Sequence, residues 1–358
     1  MTDQLLDSTP SPEEQPRKKA SLGKRIALIT FSIAGLIVVG GVAVAALYLS
    51  SLSSSYEESV NVIPEDETFP EDEDRPDAPT AEDEDGEETD SEQINILLIG
   101  SDAGGGSGED ENVPWLPNAA RADSIIWVHI PHERDSVQMM SIMRDTWVPI
   151  AGQGEAKINS SLSYDGPATA VATVEDLVGV PIDHVAAVDM EGFQSLVGAM
   201  DGVNVNSPQS FTSRDGYHFS SGPQHMSPSE SLSFVRERQA FADGDYTRVA
   251  NQQAFMQGVL SDVLNPQTLS NPARVHEMVS GFTPHMTVDS QLADSGYIAD
   301  LGWNMRSIRS GDVTSFTLPN GGIGTAGSES IVIADYNAFT EAGEAMREGT
   351  FDEYAAQH

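Results

Sequence analysis

Cysteine is absent from all 358 residues. That excludes a disulfide framework, a thiolate metal site and a cysteine nucleophile. Positive charge is scarce: 18 Lys+Arg stand against 56 Asp+Glu, a formal net charge of −38. So acidic a chain lacks the basic surface that general nucleic-acid binding needs, which excludes that partner. No HExxH zinc motif and no GxSxG elbow occur, so zinc-protease and serine-hydrolase chemistry have no support. The Gly-rich stretch around GGGSG is not followed by Gly-Lys-Ser/Thr, which rules out a nucleotide P-loop. Aromatics make up only 7%. The four tryptophans read as core or site-wall residues rather than a sugar-stacking platform.

What is present is unevenly spread. Residues 1–25 form a polar tail ending in Arg17, Lys18, Lys19, Lys24 and Arg25. Ile26 to Leu49 then runs without a charge. As a helix rising about 1.5 Å per residue, it covers a hydrocarbon core of about 30 Å. Its basic flank is N-terminal, so the tail is expected to be cytoplasmic and the remainder extracytoplasmic, a single-pass protein of the cell membrane. A cleaved signal peptide is the rival reading, but the run exceeds the usual apolar region of such a peptide. Residues 50–92 are of a different kind: 65–90, EDETFPEDEDRPDAPTAEDEDGEETD, has many carboxylates, several prolines and hardly any apolar side chains. Such a segment cannot offset its chain entropy by burial and is expected to be a disordered stalk.

The folded part is expected over residues 93–348, with its motifs in 95–264 and a short tail at 349–358. Ile94–Gly100, Ile125–Ile130 and Val137–Ile142 are short apolar runs of the kind that form buried strands. The turn PHERD joins the last two as a hairpin. Apolar spacing predicts a helix over 168–178, opened by Pro167 and closed by Gly179. A strand near 183–190 and a helix carrying Phe193, Leu196, Val197 and Met200 follow. Ser227-Pro-Ser-Glu230 is a capping box that starts another helix. A long helix covers roughly 246–264. Further helices are expected near 274–279 and 291–308, strands near 314–318 and 330–333, and a final helix over 336–347. Strands mixed with helices in irregular order indicate a mixed sheet covered by helices.

Thirteen of the Lys+Arg lie beyond the apolar run, and Lys157 is the only lysine among them. Arg236, Arg238 and Arg248 fall within thirteen residues. A planar guanidinium suits bidentate binding of phosphate oxygens. The plain alternative is a set of surface ion pairs, which are common and contribute little. Arg144, next to Asp145 at a strand exit, has the same two readings. Asp102 and Asp123 lie at strand edges, where carboxylates hold magnesium if a phosphorylated substrate supplies the other oxygens. An isolated Asp in such a loop is otherwise a turn former.

Taken in order, the motifs resemble those of the LytR-CpsA-Psr family. They are NILLIGSD at 95–102, RADS at 121–124, SIMRDTWVPI at 141–150 and KINSS at 157–161. VEDLVGVPIDHVAAVDMEGF at 174–193 and VRERQAFADGDYTRVANQQ at 235–253 complete the set. The resemblance implies an α-β-α sandwich whose central mixed, largely antiparallel sheet is flanked by helices. It implies a phosphotransferase that moves a glycopolymer from a polyprenyl-pyrophosphate carrier to peptidoglycan, with Mg²⁺ or Mn²⁺ as cofactor. Carried over by position, Asp102 and Asp123 resemble the metal-binding aspartates. Arg144, Arg236, Arg238, Arg248 and Asp123 correspond to catalytic positions. Arg121, Lys157, Gln252 and Asp245 correspond to substrate-binding ones. The chain departs from the family pattern at Ser124, where threonine is frequent, and at Asn251, where a basic residue is frequent. A non-catalytic lipid or polymer receptor, and a hydrolase of the lipid pyrophosphate, are the alternative functions.

Overall fold

The computed structural model describes residues 52–82, 88–90, 93–101, 122–243 and 245–358. The expected membrane helix, its basic tail, Asp102 and Arg121 lie outside these residues. Among the described residues no helix is long and apolar enough to cross a membrane.

Seven strands build the central sheet. In chain order they are β1 (Asn61–Val62), β2 (Ile94–Ser101), β3 (Ser124–Ile130), β4 (Val137–Ile142), β5 and β6 being set aside for a second sheet, then β7 (His184–Asp189), β10 (Met286–Val288) and β11 (Val313–Thr317). The second sheet contains β5 (Thr146–Ile150), β6 (Gly154–Lys157), β12 (Asn320–Ala326) and β13 (Glu329–Ala334), in the order β12-β13-β5-β6. A separate antiparallel pair joins β8 (Val203–Ser207) to β9 (Gly222–Met226). The order of the central sheet is β1-β10-β7-β2-β3-β4-β11. β2–β3, β3–β4 and β10–β7 are antiparallel. β1–β10, β2–β7 and β4–β11 are parallel. The sheet is therefore evenly mixed rather than largely antiparallel, because β7 and β11 each return parallel to a neighbour after a helical crossover instead of a hairpin, and β1 lies parallel to β10.

Both faces of this sheet are covered, which is why its strands read as almost continuous apolar runs. In β3, Ile125 and Trp127 enter the core beneath α1 (Leu162–Val178), α7 (Tyr336–Arg347) and α8 (Phe351–Ala355). Ile126, Val128 and Ile130 point the other way, toward Met256 and Leu260 of α4 (Asp245–Val263) and Leu301 of α6 (Ser295–Asn304). A third apolar cluster lies among α2 (Met190–Ala199), α3 (Pro228–Arg236), α4 and α5 (Pro272–Phe282), centred on Phe219, Phe234 and Val203. The architecture is thus a mixed sheet between two helical layers. Within it, the buried Asn95 Oδ1 accepts from Trp127 Nε1 at 3.1 Å and from His129 Nδ1 at 2.8 Å.

Three expectations are corrected. The acidic stretch is not wholly unstructured, since β1 pairs with β10 and the side chain of Ile63 is fully buried in the main core. Arg75 bonds the buried Glu175 at 2.7 Å. A few well-placed anchors suffice there, and average composition hides them. The terminal residues are also packed: Phe351 and Ala355 of α8 are buried. Pro167 lies inside α1, not at its start. It follows Gly166 at φ +67, and the residue before a proline is disfavoured in the α region, so the helix passes through an irregular step there.

Candidate functional site

The capping box forms as its sequence requires. Glu230 Oε2 accepts from the Ser227 N–H at 2.8 Å, and Ser227 Oγ accepts from the Glu230 N–H at 3.4 Å. It fixes the start of α3, whose last residue is Arg236. The chain then turns extended at Glu237. The Glu237 carboxylate is 6% exposed and accepts from the backbone N–H groups of Arg214 at 2.6 Å, Gln239 at 2.7 Å and Ala240 at 3.0 Å. Burial raises its pKa, but these N–H groups outweigh burial and hold it below the usual carboxylate value. One buried carboxylate thereby ties the segment bearing Arg236 and Arg238 to the turn bearing Arg214.

Arg248 comes from the first turn of α4 and Arg144 from the turn after β4. Asp123 ends the loop before β3, where its N–H donates to the Gly100 carbonyl at 2.8 Å. These three and Asp245 form a ring of alternating charge. Arg144 Nη1 pairs with Asp123 Oδ1. Arg144 Nε lies 3.5 Å from Asp245 Oδ1, and Asp245 Oδ1 lies 2.8 Å from Arg248 Nη2. Arg248 Nη2 closes the ring by donating to the Asp123 carbonyl at 3.4 Å. Burial pulls the Arg248 guanidinium below its ordinary pKa, against the pull of Asp245. Among the described residues, Nε of Arg144, Nε of Arg248 and both carboxylate oxygens of Asp245 are buried without a hydrogen bond. These are close charge contacts with unused bonding capacity, an arrangement native proteins seldom leave unless something else completes it.

A polar cleft of about 650 Å³ opens over this ring. It is lined by Asp123, Arg144, Lys157, Arg236, Arg238 and Arg248, so six of the residues marked in the sequence meet at one place. Lys157 Nζ stands 3.6 Å from Asp145 and 3.4 Å from Glu329. Asp245 lies within the ring but borders a neighbouring pocket. Gln252 does not border the cleft. It lines a narrow apolar slot between the sheet and α3 and α4, with Leu98, Ile126, Val188, Phe255 and Met256. The slot holds about 30 Å³ of open space, room for about one water.

Cleft and slot lie on either side of a seam defined by residues adjacent in sequence or one helical turn apart. Asp123 and Ser124, Val235 and Arg236, and Arg248 and Gln252 each place one member on either side. The site is thus amphiphilic: guanidinium groups on one side, and aliphatic and aromatic side chains on the other. Sequence reasoning did not single out Arg214, Asp215, Ser233 or Glu237, which also line the cleft. A carboxylate in so acidic a chain carries no signal, and Arg214 sits in an ordinary polar turn. His129 is buried, at 2% exposure.

A divalent ion that takes one or two carboxylates and completes its shell with substrate phosphates finds Asp123 on the cleft wall. Among the described residues there is no group of three or more His, Asp or Glu able to hold a metal by themselves. Asp123 on this wall therefore fits an ion that a substrate's phosphates help to hold.

The LytR_cpsA_psr family model matches residues 61–347. A Bacillus mycoides (strain KBAB4) protein, "Polyisoprenyl-teichoic acid--peptidoglycan teichoic acid transferase TagU", is 32% identical over 253 residues, covering 69% of this chain and 74% of its own. The crystal structure of B. subtilis TagV superposes with a TM-score of 0.60 at 22% identity, covering 74% of this chain and 99% of that one. The structure described as "TagT bound to LI-WTA" gives 0.55 at 20% identity, covering 76% and 96%. At these identities the two structures establish the fold.

Proposed function

We infer the function from the premise that the chain belongs to the LytR-CpsA-Psr family, and propose that it transfers a glycopolymer from a polyprenyl-pyrophosphate carrier to peptidoglycan through a phosphodiester link. The observation that carries the reading is the seam. A polyprenyl pyrophosphate is a strong anion joined to a long hydrocarbon, and the seam joins a guanidinium-lined cleft to an apolar slot. The named relative acts on teichoic acid, which makes that polymer class the first to test.

In the proposed reaction an acceptor hydroxyl oxygen attacks the phosphorus that carries the polymer. A new O–P bond forms as the bond from that phosphorus to the bridging oxygen breaks. The electron pair leaves with the carrier as polyprenyl phosphate, and the hydroxyl proton passes to a cleft carboxylate. Asp145 is the candidate, because Asp123 pairs with Arg144 and would hold the ion, Glu237 is engaged by backbone N–H groups and Asp215 by Ser233. Arg144, Arg236, Arg238 and Arg248 bind the pyrophosphate oxygens and stabilise the charge that grows on the leaving phosphate. The slot takes the first part of the tail as the flexible side chain of Met256 moves aside. Magnesium, which Asp123 and Asp102 would hold, would add positive charge at the phosphates. The proposal includes a membrane anchor at Ile26–Leu49 and an extracytoplasmic domain, which keep the site beside its lipid substrate.

The test is transfer by Arg236→Ala and Arg248→Ala, scored with circular dichroism to confirm folding. Loss of a preorganised charge donor costs about a hundredfold or more in rate. Wild-type transfer in both variants overturns the proposal.

A further inference from the structure

A second opening, of about 350 Å³, adjoins the cleft on the side of the four-stranded sheet. It shares Asp145, Arg238 and Gln239 with the cleft and no residue with the apolar slot. Its other walls combine carboxylates with apolar surface: Asp243, Asp245, Tyr246, Ile323 and Val332. Ile323 is 64% exposed, held at the rim by β12. Burial raises the Tyr246 phenol, which donates to Asn320 Oδ1 and so braces the helix start against β12.

Charge decides what such a pocket accepts. The cleft is lined by six cationic side chains against four carboxylates, whereas this pocket is lined by Asp145, Asp243 and Asp245 against Arg238 alone, a balance that disfavours an anion. A neutral saccharide fits both halves of the lining, because its hydroxyls donate to carboxylates and its C–H face packs on an aliphatic side chain. The pocket is also distinct from the slot. The attacking and leaving oxygens of a phosphoryl transfer lie roughly in line on opposite sides of phosphorus. The carrier occupies the side of the seam, and this pocket reaches the cleft through a different set of residues.

We propose that this pocket docks the saccharide acceptor, with Ile323 against the sugar face and Asp145 and Asp243 accepting from its hydroxyls. The inference rests on the transferase reading, deepening it by locating the acceptor. Ile323→Asp is the test, since so exposed a position tolerates a charge, and Leu269→Asp, 54% exposed, is the control for added surface charge. Two measurements are made on the full chain: steady-state transfer with the donor and acceptor varied separately, and titration with a soluble uncrosslinked glycan strand of peptidoglycan. Ile323→Asp is expected to raise the acceptor KM and weaken glycan binding by about tenfold or more, with the donor KM and the control unchanged. An unchanged acceptor KM and unchanged glycan binding overturn the pocket assignment while transfer itself stands. If wild type transfers nothing yet Ile323→Asp still loses glycan binding, the transferase reading falls and the saccharide pocket is upheld.

Discussion

Asp245 and Arg248 face each other across one turn of α4, Oδ1 to Nη2 at 2.8 Å, and the same carboxylate oxygen lies 3.5 Å from Arg144 Nε. A single carboxylate thus holds two guanidinium groups side by side, one from a helix and one from a strand exit. Without it their mutual repulsion would drive them apart. The helix start that carries Asp245 therefore holds both guanidinium groups beside the cleft.

Asp245→Asn keeps the shape and removes the charge. Breaking a largely buried ion pair from one side costs about 3 kcal/mol, so urea unfolding is expected to show a loss of that order. Donor KM should also rise, because Arg144 and Arg248 lose their shared anchor. Unaltered stability together with unaltered donor KM would show that the ring holds nothing in place.

Met256→Glu places a carboxylate in the apolar slot. The donor KM is expected to rise about tenfold or more for a long polyprenyl tail, and much less for a donor whose tail is too short to enter. Acceptor KM should not change. Equal effects on long and short tails would mean that the slot does not receive the hydrocarbon.

His129 gives a pH dependence of stability. Burial, reinforced by Arg134, lowers its pKa from the ordinary 6.5 to about 4. Between those values the unfolded chain binds a proton that the folded chain refuses, so stability rises with pH across that window. The contribution is complete above the unfolded value and falls by about 3 kcal/mol as pH drops to the folded one. Urea midpoints from pH 7 to 4.5 should show this slope in wild type and a flatter one in His129→Gln. Parallel slopes would contradict it.

The central strands were legible because burial on both faces makes β2, β3 and β4 unbroken apolar runs. The capping box at Ser227 and the helix over 336–347 were legible from local chemistry alone, since a cap and a 3.6-residue period need no distant partner. The arginines stood out because arginine is rare here. What could not be read depends on partners far along the chain. β1 is two residues of an acidic stretch and becomes a strand only by pairing with β10. β12 is NGGIGTA, whose glycines give neither alternation nor propensity. Arg144, Asp245 and Arg248 were all marked, and Asp245 and Arg248 lie one helical turn apart, but nothing local says that Arg144 joins them. Glu237 was invisible among so many carboxylates, although its backbone bonds orient two of the arginines. Asp102 and Arg121 lie outside the described residues, and their part in the site remains a proposal drawn from the resemblance.

The most direct measurement is product identity with a polyprenyl-pyrophosphate glycopolymer donor and peptidoglycan, run with Mg²⁺ and with a chelator. The account predicts polymer joined to peptidoglycan by a phosphodiester and release of polyprenyl phosphate in equal amount, both depending on the ion and both lost in Arg236→Ala. Donor bound without turnover, or polymer released as a free phosphate ester with none attached to peptidoglycan, would contradict it.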